Sequence, residues 1–174
     1  MQEVRGLRTG ERMIEHLDYI IDKEKYRNLF YNNIQKHGQW HWLCPKRQEL
    51  FWYQLFIPDN HELKDDLYEV ENELGIYGMN NFPRFSYQFP NTKLGHHKDE
   101  DEMVSININL LNTTPIIHLE HKPYPYEAIF VDVGHVEHGV EPDINPRLIL
   151  KFCLRHSWNE VYDILDNRGL LCTE

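Results

Sequence analysis

The chain has 174 residues, 41% of them hydrophobic and 13% aromatic, enough to close one hydrophobic core and too few for two comfortable ones. Its 28 acidic residues against 18 basic ones give a formal charge of −10, a field that repels polyanions and excludes a general nucleic-acid partner. Cys44, Cys153 and Cys172 form no Cys-x-x-Cys pair, charges are scattered through Met1 to Tyr19 where a signal peptide needs an apolar stretch, and no apolar run approaches the ~20 residues of a membrane span. The expectation is a single cytoplasmic domain with reduced thiols and no membrane partner.

From Glu11 to Ile34 the apolar residues Met13, Ile14, Leu17, Ile20 and Ile21, then Leu29, Phe30 and Ile34, recur at three- and four-residue steps. This spacing predicts a helical stripe with a break near Lys23. Trp40, Trp42 and Leu43, followed by the aromatic run at 50–57 between Pro45 and Pro58, favour strands over entrance-lining loops. Asn60 is placed to cap a helix that carries Leu63, Leu67, Val70 and Leu74 on one face and stops at Gly75.

After Gly78 the period becomes two. Phe85, Tyr87 and Phe89 alternate with Arg84, Ser86 and Gln88, and Ser105, Asn107 and Asn109 alternate with Ile106, Ile108 and Leu110. Further short strands are predicted at 115–120, 128–133, 138–141 and 148–154, separated by Pro-, Asn- and Gly-containing turns. The pattern is that of a mainly β sandwich or barrel preceded by helices that cover one sheet. The polar face of Ser105, Asn107 and Asn109 either meets solvent or lines a polar interior. No Gly-rich strand-to-helix loop supports a nucleotide-binding α/β fold.

His97 and Asp99 stand two apart, His138 follows His97 by 41 positions, and Arg147 follows His138 by nine. Two imidazoles and a carboxylate on one side of a metal make the facial triad of a non-haem Fe(II) oxygenase, with the remaining positions open for chemistry. A guanidinium fork matches a carboxylate, as a dicarboxylate co-substrate requires at its far end. With 11 histidines in the chain a lone His-x-Asp carries little weight, and the order of elements around it carries more. His135, three positions before His138, is an alternative ligand, and His118-Leu119-Glu120-His121 lacks the spacing and helical context of a zinc protease motif. His96, His37, His41 and His61 read as surface, packed or supporting residues, and the acidic run 99–102 as a solvated loop at the mouth of the site.

The order strand, His97-x-Asp99, strand, then Val131-Asp132-Val133 leading to His138-Gly139-Val140-Glu141-Pro142 and Arg147-Leu148-Ile149-Leu150 resembles the Fe(II)- and 2-oxoglutarate-dependent dioxygenases over about Arg84 to Arg155. Within them it is similar to the aspartyl/asparaginyl hydroxylase branch that includes bacterial proline hydroxylases. The resemblance implies a double-stranded β-helix (jelly roll, cupin-like), with N-terminal helices packed on one sheet. It implies His97, Asp99 and His138 as metal ligands and Arg147 as the partner of the far carboxylate of 2-oxoglutarate, and it favours His138 over His135 because of Arg147 at the usual offset. Where that branch presents an Arg-x-His pair, this chain has Ser105, Asn107 and Asn109, so the near carboxylate is assigned first to Asn107, with Ser105 on the same strand and Tyr87 on the preceding one as further choices.

The expected organisation is a single domain over 1–174, with helical and strand decoration at 1–80, a catalytic core at 81–156 and a C-terminal segment at 157–174. The expected function is hydroxylation of a small amino-acid-like molecule, or of a protein side chain, using Fe(II), 2-oxoglutarate and dioxygen and releasing succinate and carbon dioxide. The rival expectation is a cupin-like metal-binding isomerase or small-molecule sensor, which has no need of Arg147.

Overall fold

Eleven strands and three α-helices make up a mainly β architecture in a computed structural model that describes residues 14–37, 39–41, 52–57, 60–100 and 103–172. In chain order these are β1 (Ile14–His16), α1 (Lys23–His37), β2 (Gln39–His41), β3 (Trp52–Phe56), a 3₁₀ turn (Asp65–Leu67) running into α2 (Tyr68–Leu74), β4 (Asn81–Gln88), β5 (Leu94–His97), β6 (Val104–Asn109), β7 (Ile116–Leu119), β8 (Lys122–Pro125), β9 (Ala128–Val131), β10 (His138–Val140), β11 (Arg147–Leu154) and α3 (Trp158–Asn167). They form two antiparallel sheets, one of order β1-β9-β6-β11-β4-β3-β2 and one of order β5-β10-β7-β8. From β4 onward the chain passes back and forth between them: β4, β6, β9 and β11 lie in the larger sheet, and β5, β7, β8 and β10 in the smaller.

Period-two alternation explains how the larger sheet is used on both faces. Phe85, Ile106, Leu150 and Phe152 point away from the smaller sheet into a core shared with Phe30 of α1, Leu74 of α2 and Leu165 of α3. Ile129, Val131 and Ile149 point the other way, into a second core with Ile117 and Leu119 of the smaller sheet. Ser105, Asn107 and Asn109 share that inner face and are buried, so the polar side of β6 lines the space between the sheets and not solvent.

The helical stripe expected from Glu11 to Ile34 is corrected. Residues 14–16 instead pair as an edge strand with β9, Ile14 opposite Val131, and the helix begins only at Lys23, where Asp22 Oδ1 accepts the Lys25 N–H at 3.0 Å. Ile20 shows the difference: 91% exposed beside buried Ile21, it could not share a helical stripe with it. Backbone pairing to β9 outweighs the weak helical periodicity. The helix expected after Asn60 starts later, at Tyr68, but Leu63, Leu67, Val70 and Leu74 are all buried and Gly75 ends it in the left-handed region at φ 77°. β5 and β8 arise in stretches expected to be turn or unassigned. Trp42, Leu43, Cys44 and the rest of 42–51 lie outside the described residues, as do Asp101 and Glu102. Among the described residues no helix is long and apolar enough to cross a membrane.

The helical cover comes from both ends of the chain, because the C-terminal segment carries α3. Ser157 Oγ accepts the Glu160 N–H while the Glu160 carboxylate accepts the Ser157 N–H at 2.8 Å, a capping box that the Ser-x-x-Glu spacing encodes. Trp158 then stacks on Phe130 of β9 with ring centroids 4.1 Å apart, and Val161 and Leu165 enter the core. Ser157→Ala is expected to lower the unfolding free energy by about 1 kcal/mol with an unchanged denaturant m-value, measured by urea titration. No loss of stability would show that α3 is held by packing alone.

Candidate metal centre and its cavity

His97 and His138 are directly opposed in the pairing of β5 with β10, and both face the space between the sheets. The register then shifts, since Val140 pairs with Leu94: three residues of β5 are spanned by two of β10. This bulge turns both Leu94 and His97 into the same cavity, an outcome strict alternation forbids. Each imidazole is oriented by its own backbone, His97 Nδ1 at 2.8 Å from the Gly95 carbonyl and His138 Nδ1 at 3.3 Å from the Val136 carbonyl. Donation from Nδ1 leaves the lone pairs of the two Nε2 atoms as the candidate ligating positions.

Asp99 follows β5 directly, and its backbone N–H donates to the Val133 carbonyl at 3.0 Å, fixing the loop against the end of β9. Its two oxygens divide the work: Oδ1 lies 3.2 Å from His97 Nε2, and Oδ2 lies 3.6 Å from His138 Nε2. Ligands about 2.1 Å from a metal and at right angles to one another are about 3.0 Å apart. His97, Asp99 and His138 therefore stand within a small adjustment of a facial set, with their ligand atoms all inside 4.8 Å of one another. His135 is excluded from the set: it is exposed and bound to Asp132, with Nδ1 2.9 Å from Oδ1.

Lys151 is the residue that sequence reasoning missed. Its Nζ donates to Asp99 Oδ2 at 3.3 Å, with both side chains largely buried. Lys151 lies four positions after Arg147 on β11, so period two puts both on the inner face, a signal hidden within an otherwise apolar run. The charges separate the two imidazoles. Burial, reinforced by the Lys151 ammonium, pushes His138 down to about 4, so its imidazole is neutral at physiological pH. The hydrogen bond to Asp99 raises His97 despite its partial burial. A metal ion held by His97 and Asp99 would take the place of the proton they share.

A cavity of about 200 Å³ opens from this cluster, and Arg84, Arg147 and Lys151 line it against Asp99 as the single acid among the described residues. A strongly acidic chain has thus built a cationic interior. Arg147 donates from both Nε (2.9 Å) and Nη2 to the hydroxyl of buried Tyr126, a residue that no sequence signal marked. Asn107 also lines the cavity, opposite Lys151 in register, and its Oδ1 has no hydrogen-bond partner among the described residues. A flip of that amide presents its NH₂ group to a carboxylate.

Two of the expected ligand-binding residues are not brought to the cavity. Tyr87 lies on the opposite face of β4, packed on Phe30 and Phe89, because it alternates with the cavity residues Arg84 and Ser86. Ser105 is on the inner face but two residues beyond Asn107, fully buried in the row that pairs with Val131 and Cys153 and away from the cavity wall.

Solved structures share this architecture at low sequence identity. A Pseudomonas putida prolyl-4-hydroxylase matches with a TM-score of 0.59 at 15% identity, over 82% of this chain and 91% of that one. The likeness is one of fold. A Burkholderia pseudomallei oxidoreductase of the 2OG-Fe(II) oxygenase family matches at 0.53 and 12%, over 75% and 79% of the two chains. A structure of DMSP lyases RdDddP and RnDddQII matches at 0.53 and 14%, over 81% and 69%. No family model matches the chain, and no curated protein matches its sequence.

In metal-free protein the two imidazoles are expected to titrate apart by NMR of their ring protons, His138 near pH 4 and His97 above the ordinary value of about 6.5. Asp99→Asn should lower His97; a value that stays put would contradict the stated cause. The signs carry over to stability. His97 favours the metal-free fold in acid, a contribution lost as pH rises through its folded value, whereas neutral His138 favours the fold above about 6.5 and loses that contribution as pH falls towards 4.

Proposed function

We propose that this chain is an Fe(II)- and 2-oxoglutarate-dependent dioxygenase built on a double-stranded β-helix, and that it hydroxylates a small amino-acid-like molecule or a protein side chain with release of succinate and carbon dioxide. The observation that carries the reading is the presence of Arg147 in the wall of the same cavity as His97, Asp99 and His138. The passage of β4 to β11 between two four-stranded layers, with extra strands added at the edges of the larger one, supports the jelly-roll topology. On this reading the catalytic core is 81–156, and the protein works as one cytoplasmic domain.

The donor set fits the groups. Two neutral-capable imidazoles with oriented Nε2 atoms and one carboxylate suit Fe(II), and three such donors on one side would leave the metal open to other ligands. Bound together, Fe(II) and 2-oxoglutarate supply the activation of dioxygen and the oxidation of a C–H bond. His97, Asp99 and His138 hold the metal, and Lys151 keeps hold of the second Asp99 oxygen, orienting the carboxylate. Arg147, itself positioned by Tyr126, pairs with the far carboxylate of 2-oxoglutarate, and Asn107 turns its amide to the near one. Apolar Leu94, Ile117, Val133 and Val140 exclude water from the space between them.

The second reading is a cupin-like metal-binding isomerase or small-molecule sensor without oxygenase activity; the chain is as similar in fold to the DMSP lyase structure as to the Burkholderia pseudomallei oxidoreductase, with a TM-score of 0.53 in both. Function is not fixed by such a fold. Arg147 separates the two, because a barrel that binds only a metal gains nothing from a buried guanidinium.

Purified protein with Fe(II) is expected to convert 2-oxoglutarate to succinate, slowly in the absence of the primary substrate. Arg147→Ala should raise the 2-oxoglutarate concentration for half-maximal turnover by about 10- to 100-fold, the value of a charge-assisted contact, and leave the Fe(II) requirement within about twofold. If 2-oxoglutarate neither binds nor is consumed, the oxygenase reading fails and the metal-binding reading stands.

A further inference from the structure

The outer face of the same two strands carries a second histidine and carboxylate cluster that the proposed reaction does not use. His96 and Glu137 are the chain neighbours of His97 and His138, so alternation turns them away from the cavity. The third member, His121, comes from the two-residue turn that joins β7 to β8. Glu120 and His121 both adopt left-handed backbone, at φ 47° and 66°, the conformation of a type I′ hairpin turn that normally selects glycine or asparagine. This turn brings the His121 ring over that of His96, with centroids 4.4 Å apart and planes inclined by 30°.

The distances are those of a nearly closed ligand set. His96 Nδ1 lies 3.6 Å, and His121 Nε2 3.8 Å, from the same Glu137 oxygen, and one ligand atom from each of the three residues falls within 4.8 Å of the others. Tetrahedral ligands at about 2.1 Å from a metal are about 3.4 Å apart, so small rotations of exposed His121 and half-exposed Glu137 complete the geometry. Two features go beyond proximity. The Nδ1 atom of His96 is buried and has no hydrogen-bond partner among the described residues. Its other ring nitrogen, Nε2, lies 3.7 Å from Glu141 Oε1, from which a small rotation of that half-exposed carboxylate would let it accept the Nε2 proton and leave Nδ1 to a metal. Gly139 makes room for this ring, since a Cβ there would come within 2.9 Å of both His96 Cδ2 and the Leu94 carbonyl.

We propose that His96, His121 and Glu137 form a second site, for a divalent transition-metal ion of the zinc type, with Glu141 orienting His96. Imidazole and carboxylate donors at these spacings suit Zn(II). The ion ties β5, β10 and the β7–β8 hairpin together and so braces the strands whose inner faces carry His97 and His138. The site stands independently of the oxygenase reading.

The test is equilibrium dialysis of the full chain against ZnCl₂ with metal analysis of the protein. Wild type is expected to hold two equivalents, and the His97→Ala/His138→Ala protein one. Adding His121→Ala to that pair removes the remaining equivalent, and adding Glu141→Gln instead weakens it by about 10- to 100-fold. Zinc should also raise the melting temperature of the His97→Ala/His138→Ala protein and not that of its His121→Ala derivative. If the paired substitution prevents folding, wild type is compared with His121→Ala alone, a change at a largely exposed side chain, and one equivalent should be lost. Zinc binding that is the same with and without His121, or none in folded His97→Ala/His138→Ala protein, overturns the proposal.

Discussion

The opposition of His138 to His97 across β10 and β5 is the constraint on which the site depends. A one-residue slip in that pairing would carry every side chain to the other face, placing His96 and Glu137 inside and the two cavity imidazoles outside. Register here is held by several devices at once: the bulge between Leu94 and His97, the Asp99 N–H bonded to the Val133 carbonyl, and Gly139, which leaves space for the His96 ring. The larger sheet supplies the opposite wall. Its inner face stays in step because its outer face is anchored by buried Phe85, Ile106 and Phe152 beneath the helices.

Electrostatics then define what the cavity can accept. The molecule is acidic overall, yet Arg84, Arg147 and Lys151 converge on a space with one carboxylate. Held apart from water, such charges act more strongly than on the surface, and they favour a small anion over a neutral guest. Lys151 has a double effect: it pairs with Asp99 and helps keep His138 neutral. The Asp99 carboxylate is thus oriented by a neighbouring side chain of the larger sheet. Tyr126 does the same for Arg147, holding the guanidinium through two donors.

Much of this was legible in the chain because β-strands announce themselves by alternation. The strands carrying Phe85, Asn107, His138 and Leu150 were readable, and of the spaced residues the structure brings His97, Asp99 and His138 into one cluster with Arg147 in the wall of the same cavity. The face of β6 was not readable, because a polar row looks the same whether it meets solvent or a cavity. The bulge in β5 exists only in relation to β10, so no local pattern encodes it. Lys151 was visible in principle from its step of four after Arg147, but the apolar run around it read as a core strand. Residues 14–22 misled because a helical spacing of apolar residues also arises where a short edge strand and a loop each bury one or two of them. Tyr87 stands outside the cavity for a simpler reason: it shares a strand with Arg84 and Ser86 but has the opposite parity.

On the proposed function, one cavity binds a metal through His97, Asp99 and His138 and a dicarboxylate through Arg147. A crystal structure of the chain prepared without oxygen, with Mn(II) in place of Fe(II) and 2-oxoglutarate, tests it most directly. Anomalous density for the metal is expected between His97 Nε2, His138 Nε2 and an Asp99 oxygen, with the far carboxylate of 2-oxoglutarate on the Arg147 guanidinium. Metal density confined to His96, His121 and Glu137, or 2-oxoglutarate bound away from Arg147, would contradict it.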